Sequence, residues 1–154
     1  MSKKTINHYG KVSRYLHWAM AVCYLAMFGT AVAWNIDESL KFLINPHRAI
    51  GVLLLVLTIF RMIWAVINTK QSPKNTTVAK LGHWALYGVM LAVPAIGMAR
   101  QAGYAQNNQA LIELGNQWHG TLAWLFLLLI VGHIAMVAVH HLKGEPILSR
   151  MLGK

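Results

Sequence analysis

The sequence predicts an all-α integral membrane protein, an antiparallel up-down four-helix bundle. Three observations carry that prediction. The 154 residues are 56% apolar and only 12% charged, with a mean hydropathy of +0.46, whereas an average soluble domain carries about 25% charge. So little charge cannot cover the largely solvent-facing surface of a small soluble globule. Four apolar stretches are long enough to cross a hydrocarbon core of about 30 Å, which takes about 20 helical residues. The polar segments between them are short, which favours antiparallel neighbours. The length suits one membrane-embedded domain spanning residues 1–154.

The spans follow in order: Tyr15 to Trp34, Ala49 to Ile67, Leu81 to Ala99 and Gly120 to Val139. Loops are expected at Asn35 to Pro46, Asn68 to Lys80 and Arg100 to His119. No internal repeat or low-complexity tract interrupts the pattern. Ala31-Val32-Ala33 imitates a signal-peptide cleavage site, yet an apolar run of about 20 residues exceeds the usual 7–15 of a signal core. The first span is therefore read as retained. Cys23 is the single cysteine. A disulfide framework and a CxxCH haem attachment are both excluded, and Cys23 reads as a small core residue.

The net charge of +10 would suggest nucleic acid in a soluble protein. Here the basic residues fall mainly between apolar runs, which points to topology and anionic lipid. Eleven of the 14 Lys and Arg lie on the side of both termini; Lys41, Arg48 and Arg100 lie on the other, with Asp37, Glu38 and Glu113. The positive-inside rule puts both termini in the cytoplasm. Trp34, Trp64, Trp84 and Trp118 fall near span ends, as an interfacial aromatic belt requires.

Ionisable residues inside spans are costly and are functional candidates by default. His17 and His83 lie just inside the cytoplasmic ends of the first and third spans, and His47 and His119 at the external ends of the second and fourth. His133 follows His119 by 14 residues, about 21 Å along a helix and nearly four whole turns, so both project from one face. Two imidazoles at matching depth on facing helices can hold one haem iron from both sides, an arrangement suited to electron transfer. His47 and His119 meet that condition externally. At the cytoplasmic level His17, His83 and His133 compete for two positions, and spacing alone does not choose. A lone histidine near a helix end is usually interfacial and binds no cofactor; five clustered at two depths are harder to read that way. Zinc prefers tetrahedral sites, often completed by Cys or carboxylate, and the spans offer no Asp, Glu or second Cys. Haem b is the better reading.

Gly51, Gly82, Gly88, Gly120 and Gly132 sit near these histidines. They would either admit a flat macrocycle or serve ordinary helix packing through small residues. Arg61 follows His47 by 14 residues, so it shares that face at cytoplasmic depth. It is a candidate partner for a haem propionate or a quinone oxygen, against the alternative of snorkelling to the interface. Arg48, next to His47, is a candidate propionate partner on proximity.

Several short motifs in fixed order resemble the bacterial cytochrome b-561 family. They are Tyr9 through Leu16-His17-Trp18, Pro46-His47, Leu81-Gly82-His83, Pro94-Ala95-Ile96-Gly97, Trp118-His119-Gly120-Thr121-Leu122-Ala123, Gly132-His133 and His140-His141. The resemblance covers nearly the whole chain and extends to the cytochrome b subunits of formate dehydrogenases and nickel-iron hydrogenases. It implies two haems b and exchange of electrons with ubiquinone in the bacterial inner membrane. It also implies that His17 and His133 hold the cytoplasmic haem and His47 and His119 the external one. His83, His140 and Arg61 then fall to a quinone site, where histidine, with an ordinary pKa of roughly 6.5, suits proton relay. One branch of the family is a superoxide oxidase, which makes superoxide a candidate donor, although the near-balanced external charge does not favour steering an anion.

The expectation is a dihaem cytochrome carrying electrons between an external donor and ubiquinone. One alternative is an anchor subunit relaying electrons for a separate periplasmic dehydrogenase. Another is a haem-free transporter or assembly factor whose histidines are interfacial.

Overall fold

The computed structural model describes residues 8–69, 76–145 and 147–153. Its elements are α1 (Lys11–Ile36), a 3-10 helix (Glu38–Leu43), α2 (Ile44–Ile67), α3 (Thr77–Gln106), α4 (Gln109–Leu142) and a short α5 (Ile147–Leu152). The four long helices contain the four predicted spans, and each is long and apolar enough to cross a membrane. Sequence neighbours pack together: α1 on α2, α2 on α3, and most extensively α3 on α4.

The helices run beyond the apolar stretches. The expected loop from Arg100 to His119 is almost entirely helical, because α3 continues to Gln106 and α4 starts at Gln109. Hydropathy marks where lipid ends, whereas the Gln and Ala of this stretch are good helix formers that need no lipid. The connection is a tight turn at Asn107 and Asn108. Asn107 is left-handed at φ 53°, a conformation Asn tolerates better than most residues. Asn108 caps α4, its side chain accepting from the Leu111 N–H at 3.3 Å. Thr76 caps α3 in the same way, accepting from Ala79 N–H at 3.2 Å. Half of the expected loop before α2 is the 3-10 helix, and all of the rest except Asp37 belongs to α1 or α2. Asp37 starts the 3-10 helix by accepting from Ser39 N–H at 2.9 Å, a bond that holds its carboxyl below the ordinary carboxylate pKa. Pro46 falls in the first turn of α2, where its missing N–H leaves no intrahelical bond unmade.

Both chain ends lie at one end of the bundle, since Tyr9 N–H donates to the Arg150 carbonyl at 3.1 Å. α5 folds back there onto the start of α1. Arg14 Nη1 donates to Leu152 O at 2.8 Å, and Trp18 Nε1 donates to Met151 O at 3.3 Å. The opposite, hairpin end carries the 3-10 helix and the Asn107 turn. Of the basic residues counted for topology, Lys11, Arg14, Lys80, Lys143 and Arg150 sit at the terminal end; Lys3, Lys4, Lys70, Lys74 and Lys154 lie outside the described residues.

The buried core is a mid-depth layer with one or two residues from each long helix: Met20, Leu54 with Thr58, Met90 and Phe126. Phe126 is 3% exposed while its neighbours Trp124 and Leu128 are 69% and 67% exposed. The inward stripe of α4 is thus narrow, as expected where lipid covers the outer face. Tyr24 meets Phe126 edge-on at 4.8 Å between ring centroids. Its hydroxyl reaches Thr58 Oγ1 at 3.4 Å, and Thr58 in turn donates to Leu54 O at 2.7 Å. No described polar group of this layer is left without a partner, as burial in an apolar setting demands.

Candidate haem sites at the two ends of the bundle

Five half-buried histidines gather in two groups, one on each side of the aromatic layer. At the hairpin end, His47 of α2 and His119 of α4 face each other with ring centroids 6.3 Å apart. At the terminal end, His17 of α1 and His133 of α4 face each other at the same 6.3 Å, and His83 of α3 lies 5.7 Å from His133. A metal–imidazole bond is about 2 Å long. With the ring radius added on each side, two such bonds to one metal place the centroids roughly 6 Å apart. The two 6.3 Å pairs and the 5.7 Å His83–His133 pair all lie near that separation.

The ring nitrogens suit a metal as well at the hairpin end. His119 Nδ1–H donates to Val93 O at 3.0 Å. The Thr30 hydroxyl donates to Ala26 O at 2.8 Å, so its oxygen accepts from His47 Nδ1–H at 3.1 Å. Each bond leaves Nε2 with a free lone pair, the tautomer that metal-binding histidines usually present. Gly97 makes the approach of His119 feasible, since a Cβ there would stand 2.9 Å from the ring's Cε1. Trp34 packs edge-on against His47 at 4.9 Å.

The terminal end is built differently. Arg61 Nη2 donates to His17 Nδ1 at 3.1 Å, and a guanidinium has no lone pair to offer in return. His17 Nδ1 is therefore an acceptor here. The Arg61 guanidinium also stands 6.0 Å from the centroid of Tyr87. Arg61 and His83 thus join His17 and His133 in one cluster, as their spacing suggests. His140, near the end of α4, pairs with Glu145 Oε2 at 2.7 Å. Arg48 is exposed and no hydrogen bond or ion pair among the described residues ties it to His47.

The glycines divide by function. Gly82, Gly88, Gly120 and Gly132 face open space, with nothing within 4 Å of an added Cβ, and Gly51 meets only Met27 Cε at 3.4 Å. The tight helix contacts lie elsewhere, at Gly97, at Gly103 against Ile112 N at 2.9 Å, and at Gly115 against Arg100. Thr30, the Val93 carbonyl and Gly115 carry no signal in the sequence, because each meets its partner only through helix packing. Among the described residues no group of three or more His, Cys, Asp or Glu forms a closed metal site.

Four apolar helices with paired imidazoles in their interior form the architecture of a membrane cytochrome b. A family model described as prokaryotic cytochrome b561 matches residues 8–154. The chain belongs to that family and is accordingly a multi-pass bacterial membrane protein of haem b electron transfer. It is 28% identical to cytochrome b561 homolog 2 of Escherichia coli (strain K12), over 97% of this chain and 94% of that relative. No solved structure matches the chain.

Proposed function

We propose that the chain is a dihaem b cytochrome of the bacterial inner membrane, with both termini cytoplasmic, passing single electrons between an external donor and ubiquinone. The observation that carries this reading is the pair of cross-bundle imidazole separations, 6.3 Å at each end. His47 and His119 would hold the external haem, and His17 and His133 the cytoplasmic one. Bound haem b supplies reversible one-electron iron chemistry at each level.

The chain's own residues do the rest. Thr30 and the Val93 carbonyl hold the Nδ1 protons of His47 and His119 and so leave Nε2 of each ring unprotonated, as a haem ligand would require. Met20, Leu54, Met90 and Phe126 keep water out of the layer between the two histidine groups. An imidazole bound to iron through Nε2 carries its proton on Nδ1 and cannot accept from Arg61. Were His17 to hold the haem in that way, the Arg61 guanidinium would be free for a propionate or a quinone oxygen. His83, beside His133, is placed to pass protons to a reduced quinone. His140, held by Glu145, is a candidate relay nearer the surface.

A second reading, as an anchor subunit for a periplasmic dehydrogenase, gains support from the hairpin end. There α3 and α4 extend past the apolar stretches as rigid helices, which offers a partner more surface than a loop would.

The test is a reduced-minus-oxidised spectrum with haem quantitation on detergent-purified protein, followed by superoxide with ubiquinone present. Two low-spin haems b per chain, reduced rapidly by superoxide, are the expected result. Two haems indifferent to superoxide would favour the anchor reading, and a colourless protein would overturn both.

A further inference from the structure

Arg100 lies at the hairpin end on the α3 face that meets α4. It follows Gly97 by three residues and Val93 by seven, so it continues the stripe that holds His119. Its aliphatic stem lies directly on Gly115, one turn before His119 on α4, where any Cβ would collide with Arg100 Cβ and would stand 2.7 Å from its Cγ. Its guanidinium stands 5.6 Å from the centroid of Tyr104. The Nε is buried and has no hydrogen-bond partner among the described residues.

A half-buried guanidinium beside an apolar bundle needs an acceptor, and no described carboxylate lies within ion-pair distance of this one. The chain contains four carboxylates, all of them engaged elsewhere. Asp37 accepts from Ser39 N–H, Glu38 pairs with Lys41, Glu113 accepts from Gln109 Nε2 and Glu145 pairs with His140. Of the other half-buried arginines, Arg14 reaches Leu152 O and Arg61 reaches His17 Nδ1. The Arg100 guanidinium has the Tyr104 face beside it and no hydrogen-bond acceptor among the described residues.

We propose that Arg100, clamped between Gly115 and Tyr104, binds a carboxylate or other small oxyanion supplied from outside the chain, immediately beside the His47–His119 pair. The proposal rests on the dihaem reading. The oxyanion has two sources: a propionate of the haem held by that pair, or a free anion arriving from solution. In either case Arg100 is a positioning residue whose charge stabilises the reduced form of that haem.

The test is spectroelectrochemical titration of the purified full chain and its Arg100→Gln, Arg100→Lys and Gly115→Ala variants, with sodium acetate varied at constant ionic strength. In Arg100→Gln, the reduced-to-oxidised ratio of one haem at fixed potential should fall roughly tenfold, equivalent to about 59 mV for one electron. The other haem should not move. Arg100→Lys should fall less, because it keeps charge but loses the planar fork. Gly115→Ala should shift the same haem while leaving every charge in place. A wild-type potential independent of acetate identifies the propionate as the ligand. One that falls with acetate, and no longer does so in Arg100→Gln, identifies a free anion. Two haems with unchanged potentials in both Arg100→Gln and Gly115→Ala would overturn the proposal alone, whereas a haem-free wild type would overturn the functional reading beneath it.

Discussion

At Gly97 a missing side chain is what lets His119 reach the Val93 carbonyl. A Cβ would stand 2.9 Å from one ring carbon and 3.0 Å from Nδ1, so Gly97→Val must push the imidazole off its partner. The expected outcome is loss of one of two haems, read as the haem-to-protein ratio. Gly120→Ala, whose Cβ would meet nothing within 4 Å, should keep both. Thr30 acts on the opposite imidazole, His47. Thr30→Val preserves shape but removes the oxygen that accepts from His47 Nδ1–H at 3.1 Å. Outer-shell partners of metal-bound histidines are worth about 10–100-fold in affinity, so haem transfer to an apo-globin acceptor should reveal one weakened site of about that size. The histidines themselves are legible in the sequence as ionisable residues at helical spacing inside apolar runs. Their supports are not, since Thr30 and Gly97 resemble any small residue of a membrane helix until the neighbouring helix arrives.

At the scale of elements, a seven-residue rhythm organises the interior. His119, Phe126 and His133 follow one another at intervals of seven on α4, as His47, Leu54 and Arg61 do on α2. Seven residues are nearly two turns, so each helix presents a polar group, a packed residue and a polar group along one stripe. Each stretch that hydropathy marks lies inside one long helix, but the helices run further, because the polar residues around the Asn107 turn are helix formers in their own right. That turn depends on one left-handed residue, Asn107 at φ 53°. A β-branched residue there faces a cost of roughly 1–2 kcal/mol. Asn107→Val should lower stability to denaturation by about that amount, while Asn107→Gly should be close to neutral. An equal loss in both would show that the Asn side chain, and not its backbone angle, holds the turn.

For the whole molecule, the open question with the largest consequence is which end faces the cytoplasm. The hydrogen bond from Tyr9 to Arg150 puts both chain ends at one end, and the helix order puts His17, His83 and His133 nearest them. Of the described basic residues, Lys11, Arg14, Lys80, Lys143 and Arg150 lie at this end and Lys41, Arg48 and Arg100 at the other, and the sequence puts five more Lys in the segments next to the terminal end. Lys and Arg in short loops resist translocation, so the terminal end should stay inside. Alkaline phosphatase fused after Gly153 should therefore be inactive, and a fluorescent protein at the same site should fluoresce. Phosphatase inserted at the Asn107 turn should be active. On the proposed function, this orientation would put the cluster containing His83 and Arg61 within reach of the cytoplasmic protons that quinone reduction consumes. It would leave the His47–His119 pair and Arg100 to meet a donor outside. The reverse pattern would exchange those roles, placing the three-histidine cluster on the proton-releasing side and pointing to quinol oxidation instead.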